Sequence, residues 1–397
     1  MVKNLVVLGA GYGGVTAALR LSRLFRCRPG YKIILVDRND FHTLKTQLHE
    51  AAAWQTGVKI PLDRLLRRKN SEHLKGEVKG ADISARTIDV DGTAIPYFRL
   101  VIAIGSEANY YNVPGLRENS IALQSTSDAE LIYSRVQEIF ALAAEERDPA
   151  ARRGMLTIVI GGGGLSGIEL AGELVERVRG LARENGIDVA EVQVTVVDGG
   201  ARLVPELGEV QSELVESRLK AAGVRVLTGR WIKSRDQNSV HLSTGEVLES
   251  RTLIWTGGIK VSGLLGRIGL LTGEMGRVLV DGTLRVEGHP EIYAIGDNAL
   301  AINPATGKAV PTAAQFALQQ GRLVADNIRC EIEGRPLKPY RPRLMGEVVS
   351  LGRHLAAGWL ALPFFGKIRF FGFIASLLKA AIKGKHILLL WRESTRW

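Results

Sequence analysis

Cysteine is nearly absent: the 397-residue chain has two, Cys27 and Cys330. That excludes a disulfide scaffold, a cysteine-ligated iron–sulfur cluster and a CxxC redox pair. The seven histidines fall in no HExxH or paired ligand spacing, so no metal site is expected. No uninterrupted span of about 20 apolar residues occurs, so no membrane-crossing helix is expected either. The opening MVKNLVVLGAG has no basic segment followed by an apolar stretch and cleavage site. A folded, cytosolic protein is expected to start there. Low-complexity segments are missing, and with 46% hydrophobic and 23% charged residues disorder is excluded.

Glycine and positive charge are what the chain has in plenty. Its 45 glycines follow no triplet period, which excludes collagen and points to glycine-dependent turns. The net charge is +11, and residues 341–397 hold ten Lys/Arg against two Asp/Glu, so the tail carries most of it. There the basic residues interleave with Phe, Leu, Ile and Trp. That pattern suits an anionic membrane surface and not a nucleic-acid docking face.

Along the chain, residues 4–8 form an apolar strand pattern, glycines follow, and 15–25 have helical periodicity. A second apolar run at 31–36 ends in Asp37, completing a βαβ unit. Residues 100–104 read as a buried strand ending at Gly105, and 127–146 as a helix closed by a charged, proline-bearing stretch. The same grammar then restarts about 150 residues on. A strand at 156–160 leads to glycines 161–164 and a helix at 168–181. A strand at 192–197 ends in Asp198, and 251–256 leads into Gly257 and Gly258. Two copies of one nucleotide-binding plan are implied.

The loops explain why. Gly9, Gly11 and Gly14 form GxGxxG directly after a strand and at the start of a helix. The first glycine permits the tight turn, the second admits a pyrophosphate to the backbone, and the third lets helix and strand pack closely. The helix N-terminus offers free N–H groups and partial positive charge. Asp37 lies where a carboxylate can accept from ribose hydroxyls. Gly162, Gly164 and Gly167 repeat the motif, with Asp198 ending the next strand after a longer connection at 184–192. Two complete fingerprints imply two dinucleotides. A carboxylate at Asp198 favours a free 2′-hydroxyl, hence NADH over NADPH. Arg202 close by could weaken that preference, or could be a solvated loop residue.

With LVIAIGS (100–106) and IYAIGDNA (292–299), these motifs resemble the flavoproteins with two dinucleotide-binding domains. Within them the chain is similar to the type II NADH dehydrogenases, the non-pumping NADH:quinone oxidoreductases. The resemblance rests on FHTLKTQLHEAAA (41–53), GGGLSGIELAGEL (162–174), TLIWTGGI (252–259), PTAAQFALQQG (311–321) and GEVVSLGRHLAAG (346–358). Lys45-Thr46 departs from the paired threonines common there, and Phe98-Arg99 from an acidic residue. The resemblance implies an α/β fold of two Rossmann-like domains, the second inserted in the first. Residues 1–111 and 286–335 would hold FAD, 112–285 would hold NADH, and 336–397 would form a membrane-surface anchor.

It also implies site residues. FAD would contact Gly9, Gly11, Tyr12, Gly13, Gly14, Asp37, Arg38, Thr46, Val78, Ala103, Gly105, Gly296, Asp297, Ala314 and Gln315. NADH would contact Gly162, Gly164, Leu165, Ser166, Gly167, Glu169, Asp198, Gly257 and Gly258. Glu169 would stand between nicotinamide and flavin, Gln315 beside the flavin on the quinone side, and Thr46 on the opposite wall; these three would carry the catalysis. Plainer roles stay open: Glu169 as a first-turn glutamate facing the helix dipole, and Gln315 as a group that caps or satisfies the backbone of the following helix. His49-Glu50 suggests acid–base chemistry, though helix packing fits it better. Neither cysteine has a partner at two or four residues, so the sulfur chemistry of disulfide reductases and sulfide:quinone oxidoreductases is not expected.

In the tail, a series from Trp359 to Leu378, including Phe364, Phe365, Phe370, Phe371, Phe373 and Ile374, is interrupted by Lys367, Arg369 and Lys379. A helical wheel puts Gly372, Ser376, Lys379 and Lys383 on one stripe, opposite Ile374, Leu377, Leu378, Ala381 and Ile382. That predicts an interfacial helix whose lysines reach lipid phosphates, with Leu388–Leu390 and Trp391 as a second anchor. Packing of the same helix on the protein or on a second copy, giving a homodimer, is the alternative. The expected enzyme passes hydride from NADH to FAD and two electrons to a membrane quinone, menaquinone or ubiquinone. It does so at the cytoplasmic face of the cell membrane, without proton pumping. Two other readings remain: a soluble NADH-dependent reductase of a small electron-carrier protein, and a non-enzymatic redox-sensing flavoprotein.

Overall fold

The computed structural model describes residues 2–362 and 366–395. β1 (Lys3–Leu8) is a buried apolar strand that runs into the first glycine loop, and α1 (Tyr12–Leu24) leaves it. β2 (Tyr31–Asp37) returns alongside and ends on the acid. α2 (Leu48–Trp54), β3 (Ser71–Lys75) and β4 (Arg99–Ile102) follow. α3 (Thr126–Glu145), closed at its start by a Ser125/Asp128 capping box, and α4 (Pro149–Leu156) lead into the second copy. That copy comprises β5 (Thr157–Gly161), α5 (Leu165–Glu184), β6 (Gln193–Val197), α6 (Glu209–Ala221), β7 (Val224–Leu227) and β8 (Thr252–Trp255). β9 (His289–Ala294) and α7 (Ala314–Ile332) rejoin the first unit. β10 (Gly346–Ser350), β11 (Ala356–Leu362), β12 (Gly366–Gly372) and α8 (Phe373–Thr395) complete the described chain.

The first sheet has the order β9-β4-β1-β2-β3, all parallel, with Arg285–Val286 antiparallel on the outer side of β9. The second has β8-β5-β6-β7, also parallel, with Ile121–Ala122 beyond β8. Parallel strands covered on both faces bury nearly every side chain, which is why their sequences are continuous apolar runs. Each unit also carries a three-stranded antiparallel meander, at 78–96 leading into β4 and at 232–249 leading into β8. Because β9 pairs with β4 across the intervening unit, the first unit is discontinuous and the second is inserted in it.

The tail departs from the expected single amphipathic stretch. Residues 346–372 form the antiparallel sheet β10-β11-β12, and helix begins only at Phe373. Phe364 and Phe365 lie outside the described residues. α8 packs against α1 and against the β11–β12 pair. Its apolar side is exposed, as expected of an interfacial helix, but its lysine stripe does not face lipid. Lys379 and Lys383 point inward to Glu169 and Glu50, whereas Phe373, Ile374, Leu377, Ile382 and Leu388 are exposed. Leu390 is buried, so the second anchor is only partly on the surface. A buried carboxylate demands a counter-charge, and that demand outweighs the preference of lysine for water. No helix among the described residues is long and apolar enough to cross a membrane.

Candidate functional site

The two glycine loops match atom for atom. The Ala10 N–H donates to Asp37 Oδ2 at 2.6 Å, and the Gly163 N–H donates to Asp198 Oδ2 at 2.6 Å. The other oxygen of each acid accepts from the backbone two residues on, Asn39 at 2.8 Å and Gly200 at 2.6 Å. Gly9 (φ +97°) and Gly162 (φ +115°) both need the left-handed region. A Cβ on Gly14 would collide with the Gly9 carbonyl, and one on Gly167 with the Gly162 carbonyl. Over the second glycine of each loop, Gly11 and Gly164, a Cβ would meet nothing within 4 Å. Each loop is thus closed where packing requires glycine and open where a phosphate would approach.

Both helices that leave the loops begin without a side-chain cap or an acidic residue in the first turn. Their N-terminal N–H groups are left for an anion. These features fit a pyrophosphate on each loop and a ribose on each acid. Leu165 and Ser166 open α5 beside the second loop. Glu169 belongs to the second turn of that helix and not the first, so the simple dipole role does not describe it.

Around the first loop, the structure gathers Ala103 and Gly105 at the end of β4 with Gly296 and Asp297 after β9. Asn298 bonds both backbone groups of Gly105, at 3.0 and 2.8 Å, and the Ser106 hydroxyl donates to Asp297 at 2.7 Å. The Gly296 N–H donates to Gln320 Oε1 at 2.6 Å, tying that turn to α7. Tyr12 and Thr46 share a hydroxyl–hydroxyl bond of 2.8 Å. Arg38 is exposed beyond Asp37, and Val78 opens the first meander. Ala314 begins α7. Gln315 holds the tail: its amide donates to Gly346 O at 3.1 Å and its oxygen accepts from the Met345 N–H at 3.0 Å. In the second unit, Gly257 and Gly258 follow β8, with the Trp255 ring packed where a Gly257 Cβ would stand.

A buried polar cluster joins the units. Lys379 Nζ donates to Glu169 Oε1 (2.6 Å), Ser350 Oγ (2.7 Å) and His49 Nε2 (3.2 Å), which uses all three ammonium protons. His49 Nε2 is therefore an acceptor, and its Nδ1–H faces Glu169 Oε2 at 3.3 Å. The Ser350 N–H also donates to Glu169 Oε1, at 3.3 Å. Glu169 is 8% exposed and His49 3%. Burial pushes the His49 pKa down to about 4, against the pull of Glu169, so the ring is neutral. For Glu169, burial is the largest influence and would raise the pKa, but Lys379, His49 and the Ser350 amide together carry it below the usual range. The cluster is an ion pair with a neutral imidazole beside it.

Two helical turns along α8, His386 reaches the first loop. Its ring lies 4.8 Å from that of Tyr12 and its Nε2 lies 3.4 Å from His42 Nε2. His42 Nδ1 faces the Ala10 carbonyl at 2.8 Å, and a carbonyl only accepts, so that nitrogen carries the proton. One face of α8 therefore reaches the first glycine loop through His386, and through Lys379 it reaches Glu169, on the helix that leaves the second loop. Sequence marks neither Ser350 nor His386, offers His49 with Glu50 as acid–base chemistry that helix packing fits better, and assigns Lys379 to lipid. A lysine and a histidine at seven-residue spacing, hence on one helix face, were the available signal.

Comparison with known proteins follows the same lines. A family profile described as pyridine nucleotide-disulphide oxidoreductase matches residues 3–321. A type II NADH:quinone oxidoreductase of Staphylococcus saprophyticus is 26% identical over 90% of this chain and 89% of its own. That of Staphylococcus haemolyticus is 28% identical with the same coverage. Among solved structures, NDH2 from Plasmodium falciparum in complex with NADH superposes with a TM-score of 0.85 at 17% identity, over 100% of this chain and 99% of that one. The sulfide:quinone oxidoreductase of Aquifex aeolicus gives 0.80 at 21% identity, covering 99% and 92%.

Proposed function

Because the chain belongs to the pyridine nucleotide-disulphide oxidoreductase family, we propose that it is a type II NADH:quinone oxidoreductase at a membrane surface. FAD sits on the first loop and NADH on the second. The observation that carries this reading is α8: its inner face meets Tyr12 of the first loop and Glu169 of the helix that leaves the second, while its outer face exposes Phe373, Ile374, Leu377, Ile382 and Leu388. An apolar acceptor that lives in lipid can reach such a site, and a patch of this kind marks a membrane or protein contact. Exposed Lys385 lies beside it and suits anionic headgroups. The two cysteines are free, Cys27 exposed and Cys330 buried, which favours direct reduction of an organic acceptor over disulfide relay. The activity of the two staphylococcal relatives agrees with this reading.

The overall conversion is NADH + H⁺ + quinone → NAD⁺ + quinol, with no pumped proton required. Bound FAD supplies the two-electron carrier that accepts hydride and passes the electrons on. The protein's part is binding, orientation and protons. Amides of the two loops hold the pyrophosphates, Asp37 and Asp198 hold the riboses, and Asp198 repels a 2′-phosphate. The arginines nearby are already paired, Arg202 with Glu209 at 3.3 Å and Arg230 with Glu246. Lys379, Glu169 and His49 place protons on a carboxylate–ammonium pair where quinone oxygens must acquire them.

Trp231 gives a separate test of the NADH half. It is 62% exposed, and a Cβ on Gly199, next to Asp198, would run into its ring. An indole left in water beside a ribose-binding acid is a platform for adenine. Stacking of this kind contributes about 1–3 kcal/mol, so Trp231→Ala is expected to raise the KM for NADH roughly tenfold while the maximal rate of flavin reduction holds. An unchanged KM would remove Trp231 from the site.

The primary experiment measures NADH oxidation by FAD-loaded protein with and without a short-chain quinone in anionic vesicles. Quinone-dependent turnover supports the assignment. Flavin that NADH reduces but no quinone reoxidises would sink it, and an electron-carrier reductase would take its place. Glutamates at Ile374, Leu377 and Leu388 together are expected to abolish co-sedimentation with vesicles and to leave flavin reduction by NADH intact. Deleting the tail is a poor substitute, because it removes Lys379 from Glu169.

A further inference from the structure

We propose that Glu173 is the proton-uptake residue of this site: it stores a proton, passes it to the Glu169 cluster and is recharged from solvent. The inference rests on the quinone-reducing function and names the route of the one proton that each turnover consumes.

The placement comes from α5. Glu169, Glu173 and Glu176 are spaced by four and three residues, so their side chains follow one another along one helix face. Only the outermost of the three is open to solvent: Glu169 and Glu173 are buried, at 8% and 3% exposed, while Glu176 is half-exposed. The turn at 351–352 lies directly on this face. A Cβ on Gly172 would stand 2.6 Å from the Leu351 carbonyl carbon, and one on Gly352 would collide with the Glu176 carboxylate.

Glu169 and Glu173 differ in what meets them. Glu169 has an ammonium, an amide N–H and an imidazole N–H. Glu173 accepts one hydrogen bond from a neutral donor, Trp54 Nε1–H at 2.7 Å, and enters no ion pair among the described residues. The guanidinium groups of Arg177 and Arg353 rest 5.8 and 5.0 Å from the Trp54 ring centre. On the other elements packed here, α2 presents His49 and Glu50 and α8 presents Lys379 and Lys383, while the buried residues of α3 carry no charge. A buried carboxyl with one neutral donor is more stable with its proton on. Burial, reinforced by Glu176 and Glu50 against Trp54 and Lys379, pushes Glu173 up to about 7.

The step balances. When the cluster gives a proton to a quinone oxygen, Glu173–COOH gives its proton to the cluster and becomes a carboxylate. It then takes a proton from water by way of Glu176, and solvent has lost the one H⁺ of the overall equation. The acid form is the active one, so the quinone-limited rate falls as pH rises through the Glu173 midpoint. His49, near 4, and Glu169, below the ordinary carboxylate range, titrate well under that window.

The test uses full-length, FAD-loaded protein in vesicles with a short-chain quinone, from pH 5.5 to 9. Wild-type kcat is expected to fall with a midpoint near 7. Glu173→Gln should lose the midpoint and about 90% of the rate at pH 6, with flavin reduction by NADH unaltered. Trp54→Phe, which deletes the donor that favours the carboxylate, should move the midpoint to higher pH, and it serves if the glutamine variant does not fold. A second readout needs neither NADH nor quinone. The Trp54 emission, taken as wild type minus Trp54→Phe, should titrate near pH 7 and become flat in Glu173→Gln. A wild-type pH profile and rate in Glu173→Gln, or a flat Trp54 signal in the wild type, overturns the relay. Wild-type protein that reduces no quinone overturns the functional reading itself, and the relay with it.

Discussion

Alanine at Gly167 is expected to yield a yellow protein that NADH no longer reduces. The added methyl would overlap the Gly162 carbonyl oxygen and stand 2.7 Å from Thr256 Oγ1. The carbonyl is backbone fixed by the turn itself, and Thr256 is held by hydrogen bonds to the Gly161 and Gly162 carbonyls at 3.0 and 3.1 Å. Relief requires the start of α5 to move away from β5, which spreads the N–H groups that would hold the second pyrophosphate. Overpacking of this kind costs about 1–3 kcal/mol or more, and concentrated on one ligand site it amounts to roughly a hundredfold loss of NADH affinity. Gly14→Ala makes the same collision with Gly9 in the other unit and is expected to emerge from purification without flavin. The readouts are the flavin spectrum of the purified variants and calorimetric titration with NADH. An NADH affinity left intact in Gly167→Ala would show that the second loop does not carry the nicotinamide dinucleotide.

Lys379→Met should be the most destabilising single change in the tail. It leaves the Glu169 carboxylate buried with only the Ser350 and His49 N–H groups, each at 3.3 Å. Breaking one half of a buried pair costs about 3–5 kcal/mol, because the remaining charge has lost its compensation. With Lys379 gone, burial is the dominant influence on Glu169 and drives it to take up a proton. The double variant Lys379→Met/Glu169→Gln removes both charges and is expected to recover most of the loss. Urea unfolding of the two single variants and the double variant forms a cycle that isolates the pair. Quinone reduction should fail in all three variants, since α8 is then no longer held by an ion pair to α5. A single variant as stable as wild type would mean that the pair seen here is not formed in solution.

The residues legible in sequence share one property: their function is written within a few positions of themselves. The two fingerprints, the acids at the ends of β2 and β6, and the restart of the pattern after residue 150 need only local turn chemistry and strand length. The matched bonds of Ala10 to Asp37 and Gly163 to Asp198 bear out that duplication. The tail was less transparent. Lys367-Ile368-Arg369-Phe370 has the two-residue period of a strand, but the Phe-rich run around it masks that period. Gln315 illustrates the limit for single residues, since its amide is spent on the backbone of Met345 and Gly346.

Composition and local pattern thus determined two nucleotide-binding units, the glycines and acids of their loops, and the basic, apolar character of the last helix. Tertiary structure alone decided which way that helix faces. An amphipathic wheel has two sides but no sign, and either side can be turned inward. The sign came chiefly from Glu169, a buried carboxylate on another element that draws a cation into the interior, with half-buried Glu50 pairing Lys383 beside it. His49 and Lys379 meet 330 positions apart in the chain. No local propensity records such a pairing, because its energy exists only once both units have folded and water has been excluded from between them.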